Sequence, residues 1–179
     1  SSYFETSAFV HAKRRIGWLL ILLFSSTFTG TIITKYENAF AAIPLLVSFI
    51  PMLMDTGGNC GSQSSTLIIR GIALDEIHFK DIFRVMFKEF KVSFMVGVVL
   101  AAANGVRILI MYHNATMALV IGLSLMVTII ISKLIGCILP LLAKKVNLDP
   151  AIMASPLITT LVDICSLLVY FNIATHILM

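Results

Sequence analysis

The stretch DTGGNCGSQ, Asp55 to Gln63, comes directly after FAAIPLLVSFIPMLM, fifteen residues without a charge. It holds one carboxylate, one asparagine, one glutamine and three glycines. Pro44 and Pro51 remove backbone donors just upstream and bend a helix there. Gly57, Gly58 and Gly61 loosen it further and let another backbone or an ion come close. Irregular backbone at membrane depth persists only where it is buried in protein or lines a water-filled cavity. The reading of this stretch therefore fixes the fold class: a membrane span interrupted for a purpose.

Composition supports that frame. Of 179 residues, 59% are hydrophobic and 12% charged, and the mean hydropathy is +1.00. Soluble domains carry about 25% charged residues, and a hydrocarbon core of about 30 Å asks for about 20 apolar residues per helix. The pattern predicts an all-α polytopic membrane protein with five transmembrane helices per protomer, over 16–34, 40–69, 92–112, 118–143 and 151–178, the second interrupted by Pro and Gly. The N-terminus lacks the charged region and small-residue cleavage site of a removable signal. Cys60, Cys137 and Cys165 all fall in apolar segments, which favours free buried thiols over a disulfide framework.

With a cytoplasmic N-terminus, ten of the thirteen Lys and Arg residues fall on the cytoplasmic side. Lys35 is outside, and Arg107 and Lys133 lie within spans. Cytoplasmic loops favour Lys and Arg, so the C-terminus is expected outside. The net charge of +4 is then a topology signal, and no nucleic-acid partner is expected. In HFKDIFRVMFKEF, residues 78–90, Phe79, Ile82, Phe83, Met86, Phe87 and Phe90 recur at helical spacing opposite Lys80, Asp81, Arg84 and Lys88. This predicts an amphipathic helix lying on the cytoplasmic face, or equally a solvated helix packed on the protein itself.

In the fifth span Ser155, Thr159, Asp163, Ser166 and Tyr170 are spaced 4, 4, 3 and 4 apart, one continuous helical stripe. Asp163 lies thirteen residues past Pro150, about 20 Å along a helix at 1.5 Å per residue. A carboxylate at that depth costs at least about 2.5 kcal/mol unless a cavity, partner or ion relieves it. A structural ion pair with Lys133 or Arg107 is the bland alternative. In the second span Asp55, Asn59, Ser62 or Gln63, Thr66 and Arg70 share one side. Free carbonyls at the glycines, with Asp55 and Asp163, would form an oxygen-only ligand set that suits Mg²⁺, Ca²⁺ or Mn²⁺. His11, His78, His113 and His176 are scattered. Gly97, Ala101 and Gly105, and likewise Ser124, Thr128 and Ser132, recur every four residues as faces for close helix contact.

The pattern P-x-x-x-D-x-G-G-N-x-G-x-Q from Pro51 to Gln63, followed by STLIIRGIAL, resembles the MgtE family of magnesium channels and transporters. So does DPAIMASPLITTLVDICSLLVYF, Asp149 to Phe171, and the similarity extends to KRRIGWLL and ILPLLAKK. The resemblance implies a homodimer in the bacterial cell (inner) membrane with an ion pathway along its two-fold axis. It implies that two copies of Asp163 hold a hydrated Mg²⁺, with the backbone around Gly58, Gly61 and Thr159 touching the ion's waters. Asn59, Asp55 and Ser155 complete the candidate metal set; some members carry asparagine where Ser155 stands. The family usually has a cytosolic Mg²⁺-sensing region before the membrane part, so residues 1–179 read as the transmembrane domain, with 1–15 at most the end of the connecting helix.

The expected function is a non-enzymatic Mg²⁺ channel passing hydrated divalent cations inward. The first rival is a carrier in which the broken second span gates alternating access. The second is an intramembrane enzyme using Asp55 and Asp163 as acid and base, which no nucleophile, His partner or metal-hydrolase motif accompanies in the sequence.

Overall fold

The computed structural model describes residues 2–151 and 155–179, the side chains of 155 and 156 excepted. Regular structure among these residues is helical throughout: α1 Ala8–Lys35, α2 Glu37–Ala42, α3 Leu45–Ser48, α4 Ile50–Ala73, α5 Ile82–Tyr112, α6 Ala115–Lys145 and α7 Ser155–Leu178, with a 3-10 turn at Phe79–Asp81 before α5. Four segments are long and apolar enough to cross a bilayer: Ala8–Lys35, Phe79–Tyr112, Ala115–Lys145 and Leu157–Leu178. Helix α4 has 24 residues, enough length, but a polar face sets it apart.

The second expected span is broken, though not at its glycines. The chain leaves helical geometry at Ile43 (φ −135°, ψ 83°), the residue before Pro44, because proline disfavours a helical predecessor. After the single turn of α3, Pro51 sits in the first turn of α4, where its missing N–H removes no helix bond. From there α4 runs unbroken through Gly57, Gly58 and Gly61. The expectation of free backbone carbonyls in the glycine motif is thus corrected: these carbonyls stand in continuous α-helix. The glycines serve close approach, not irregularity.

Helix α4 has two distinct sides. Leu53, Gly57, Cys60, Gly61, Ser64, Ile68 and Gly71 are buried, at spacings of three and four that trace one face. Asp55, Asn59, Thr66 and Arg70 are exposed on the other side. The buried face packs on α6 and α7. A Cβ added to Gly57 would lie 2.8 Å from Val162 Cγ1 and 2.9 Å from Thr128 Cγ2, and one added to Gly61 2.8 Å from Ile158 Cγ2. Gly136 of α6 meets the backbone of Gly61 directly. The buried Ser124, Thr128 and Ser132 lie on the same side of α6 as Gly136, as their fourfold spacing predicts. On α5 the expectation holds only for Gly97, which is buried against Met126 Sδ; Gly105 has open space around it.

The amphipathic stretch is also corrected. It is the first part of α5, continuous with the span, and not a separate helix on the surface. Ile82 and Val85 pack on a small core of Ile68, Cys137 and Leu141. Phe83, Phe87 and Phe90 are exposed, so the phenylalanines belong to the outward side together with the basic residues. The cysteines are free thiols, Cys60 and Cys137 buried and Cys165 half-buried.

A larger apolar cluster fills the other end, from Leu46, Phe49 and Leu53 through Ile121 to Tyr170 and Phe171. Here the stripe of the last helix departs from expectation. Tyr170 is fully buried, and its hydroxyl donates to the carbonyl of Leu46 at 2.6 Å. It serves the backbone that the Pro44 break leaves without a full helix partner. Ser166 is buried as well. Tyr170→Phe leaves a buried carbonyl with one weak donor, the Phe49 N–H at 3.4 Å. That should remove about 1–3 kcal/mol, read as a melting temperature several degrees lower in detergent with Mg²⁺ transport retained.

Candidate functional site

Asp163 lies eight residues into α7, about 12 Å from its start at Ser155. That places it about a third of the way along the 24-residue helix. Thr159 stands one turn earlier on the same face. Opposite them, α4 presents Met54, Asp55, Gly58, Asn59 and Ser62. Together these seven residues line an open cleft of about 230 Å³. Gly58 is the contact point: a Cβ there would meet only Thr159 Cγ2, at 3.9 Å. The absence of a side chain keeps the cleft open between the helices.

The electrostatics are one-sided. The two carboxylates are near enough for their charges to act on each other. Among the described residues neither carries an ion pair. Among the described residues Asp163 pairs with neither Lys133 nor Arg107. Lys133, only 3% exposed, donates its ammonium to Gln63 Oε1 at 3.3 Å. Arg107 donates to Asn104 Oδ1 at 3.0 Å. Two acidic groups, an amide and two hydroxyls without a protein cation form an oxygen-rich surface suited to a hard divalent ion. No group of three or more His, Cys, Asp or Glu side chains that could hold a metal is present among the described residues. Any ion held here would therefore rely on the two aspartates, neutral oxygens and water.

Of the seven candidate residues, the cleft gathers Asp55, Gly58, Asn59, Thr159 and Asp163. Gly61 is placed elsewhere, buried against Gly136 and Ile158. Ser155 opens α7, and its side chain lies outside the described residues. Ser166 and Tyr170 keep the angular position of the stripe but are buried at their level of the bundle, Tyr170 inside the cluster with Leu46, Phe49 and Phe171. Met54 is a lining residue with no polar signal to announce it.

Reasoning on the sequence missed two part-buried polar contacts of α4. Ser64 Oγ donates to Glu89 Oε2 at 3.1 Å, next to the Gln63–Lys133 contact. Consecutive residues of α4 thus tie it to α5 and α6 through one acidic and one basic side chain. The signal was present: Glu89 sits on the spacing Ile82, Val85, Glu89, Ser93, Gly97, where Ser93 and Gly97 are buried.

Comparison with known proteins places this geometry in context. A family model described as MgtE, divalent cation transporter, matches residues 50–173. A protein named magnesium transporter MgtE from Bacillus subtilis (strain 168) is 42% identical over 172 residues, covering 96% of this chain and 38% of the relative. Proteins of the same name from Thermus thermophilus and Enterococcus faecalis are each 34% identical, over 160 and 168 residues. They are covered to 35% and 36% of their own lengths, and cover 89% and 92% of this chain. The chain thus spans little more than a third of the length of these relatives.

Proposed function

The chain belongs to the MgtE family of divalent cation transporters, and on that premise we propose that it forms a channel through which hydrated Mg²⁺ enters the cell. It is a multi-pass protein of the cell membrane, with long apolar helices and bacterial relatives. One observation carries the proposal: Asp55 and Asp163 share a cleft between α4 and α7, with no protein cation paired to either among the described residues.

A polar helix face inside a membrane needs water, a partner or an ion. The exposed side of α4, from Asp55 through Asn59 and Thr66 to Arg70, is such a face. A second copy of the chain facing it would enclose a wet passage and bring two clefts together. This supports a homodimer with α4 as the fifth crossing helix, and a pathway at the two-fold axis. Mg²⁺ releases its waters reluctantly and binds through few carboxylates. The half-buried Asp163 pair and the Thr159 and Asn59 oxygens would hold the hydrated ion without stripping it, with Mn²⁺ or Ca²⁺ as occasional substitutes. Acidic rings select cations in this way in other channels.

Mg²⁺-dependent currents across a bilayer containing the full-length dimer test the channel. Unitary currents above roughly 10⁶ ions per second exceed what lid and gate motions on the μs–ms scale allow a carrier. Flux that stays at carrier rates and saturates with one ion per cycle would establish the alternating-access reading instead. Topology gives a further prediction. With α4 crossing and basic loops inside, a tag placed after Met179 is accessible from outside in intact cells. A tag reached only after permeabilisation contradicts five crossings.

A further inference from the structure

A second cleft lies between α4, α5 and α6. Met52 and Thr56 of α4, Leu100, Asn104 and Arg107 of α5, and Leu125 of α6 enclose about 300 Å³. Arg107 is five residues from the end of α5 at Tyr112. At 1.5 Å per residue that is about 8 Å below the helix end. An arginine so placed ordinarily snorkels to the nearby interface. This one turns back along its helix instead. Its Nε donates to Asn104 Oδ1 at 3.0 Å, and Nη2 approaches Met52 Sδ at 3.7 Å.

A thioether is a weak acceptor, so the second contact satisfies little. Guanidinium has five N–H donors; two are used here, and three have no protein acceptor among the described residues. No carboxylate pairs with Arg107 among the described residues. Asn104 Nδ2 is buried and also lacks a partner. A cation and an amide donor therefore stand together in a cleft that is otherwise apolar except for Thr56. The flanking surface of α5, with Val99, Val106 and Ile110 each more than half exposed, is of the kind that faces acyl chains.

We propose that this cleft binds the phosphate of an anionic phospholipid, with Arg107 as the charge partner, Asn104 as a second donor, and an acyl chain along Leu100 and Leu125. Bidentate arginine–phosphate pairing is geometrically favoured. A net charge of −1 on the lipid neutralises the cleft, whereas a zwitterionic lipid brings its own cation with it. Occupancy would brace the first turns of α4, which also carry Asp55.

The test uses the full-length protein, delipidated in mild detergent, with melting temperature followed against phosphatidylglycerol, phosphatidylcholine or inorganic phosphate. Phosphatidylglycerol should stabilise saturably, phosphatidylcholine much less, and inorganic phosphate not at all. Arg107→Gln should weaken the phosphatidylglycerol response roughly fivefold or more, the factor that a single arginine contributes at an anionic lipid surface; Arg107→Lys should keep part of it. Ala103 of α5 also lines the cleft; Ala103→Trp fills it and leaves Arg107 in place, so it should abolish the response even if Arg107→Gln folds poorly. Equal stabilisation by both lipids, an unchanged response in Ala103→Trp, or full stabilisation by inorganic phosphate alone would each overturn the lipid site.

Discussion

Asp163→Asn should leave a folded protein that has lost most of its Mg²⁺ affinity and most of its uptake. The substitution keeps shape and removes one negative charge per protomer, two at a two-fold axis. At an effective dielectric of about 20, a dication and a carboxylate about 5 Å apart attract by roughly 6–7 kcal/mol before desolvation. Retaining less than half of that as net binding still corresponds to about a hundredfold in affinity. Protons and Mg²⁺ compete for the same oxygens, so wild-type binding should weaken as pH falls. The asparagine variant should lose that pH dependence together with the affinity. Mg²⁺ uptake and Mg²⁺-dependent thermal stabilisation across pH, for both proteins, check the expectation. A folded variant that keeps both properties removes Asp163 from the pathway. Asp55→Asn offers a graded comparison: Asp55 is exposed where Asp163 is half-buried, so water screens its charge more and the loss should be smaller.

Much of this site was legible because its chemistry is spelled in residue types that membranes penalise. A carboxylate well inside a span, one turn from a threonine, announces itself at a spacing of four. The polar side of α4 follows from Asp55, Asn59, Thr66 and Arg70 alone. What stayed hidden was what a glycine does. The same residue type gives flexibility in a loop and proximity in a helix, and only the neighbouring helices decide between them. The prolines broke the chain as expected, but through their effect on Ile43 and by starting α4 at Ile50, which left the glycine motif regular.

Buried partners were hidden for a different reason. Tyr170 looked like part of a wet stripe until the single turn at Leu45–Ser48 supplied an acceptor 124 residues away in sequence. Lys133 looked free to pair with Asp163; its ammonium instead meets Gln63 of α4, one residue from the Ser64–Glu89 contact. Such contacts depend on which helices are neighbours, and periodicity within one helix does not carry that information.

The glycines yield the second large effect, a contrast between two positions. Gly58→Val should fold and fail to transport. Its new Cβ has only Thr159 Cγ2 for a neighbour, at 3.9 Å, so the helices keep their distance while two methyl groups enter the cleft beside Asp163. Gly136→Val should fail earlier, at assembly of the bundle. A Cβ at Gly136 runs into the Gly61 carbonyl, with the Gly61 carbonyl carbon at 3.0 Å and its Cα at 3.2 Å. These are backbone atoms of a continuous helix and have no rotamer to escape into. Overpacking that side chains can absorb costs about 1–3 kcal/mol; here whole helices must separate, opening the packing of Gly57 on Thr128 and Val162 as well. Close backbone approach is what small residues contribute between membrane helices, where dispersion packing holds the bundle together. The readouts separate cleanly: folded yield and melting temperature for Gly136→Val, uptake at wild-type yield for Gly58→Val. Wild-type stability in Gly136→Val would refute the α4–α6 contact, and normal uptake by Gly58→Val would take the motif out of the ion's path while leaving its packing role at Gly57 and Gly61 intact.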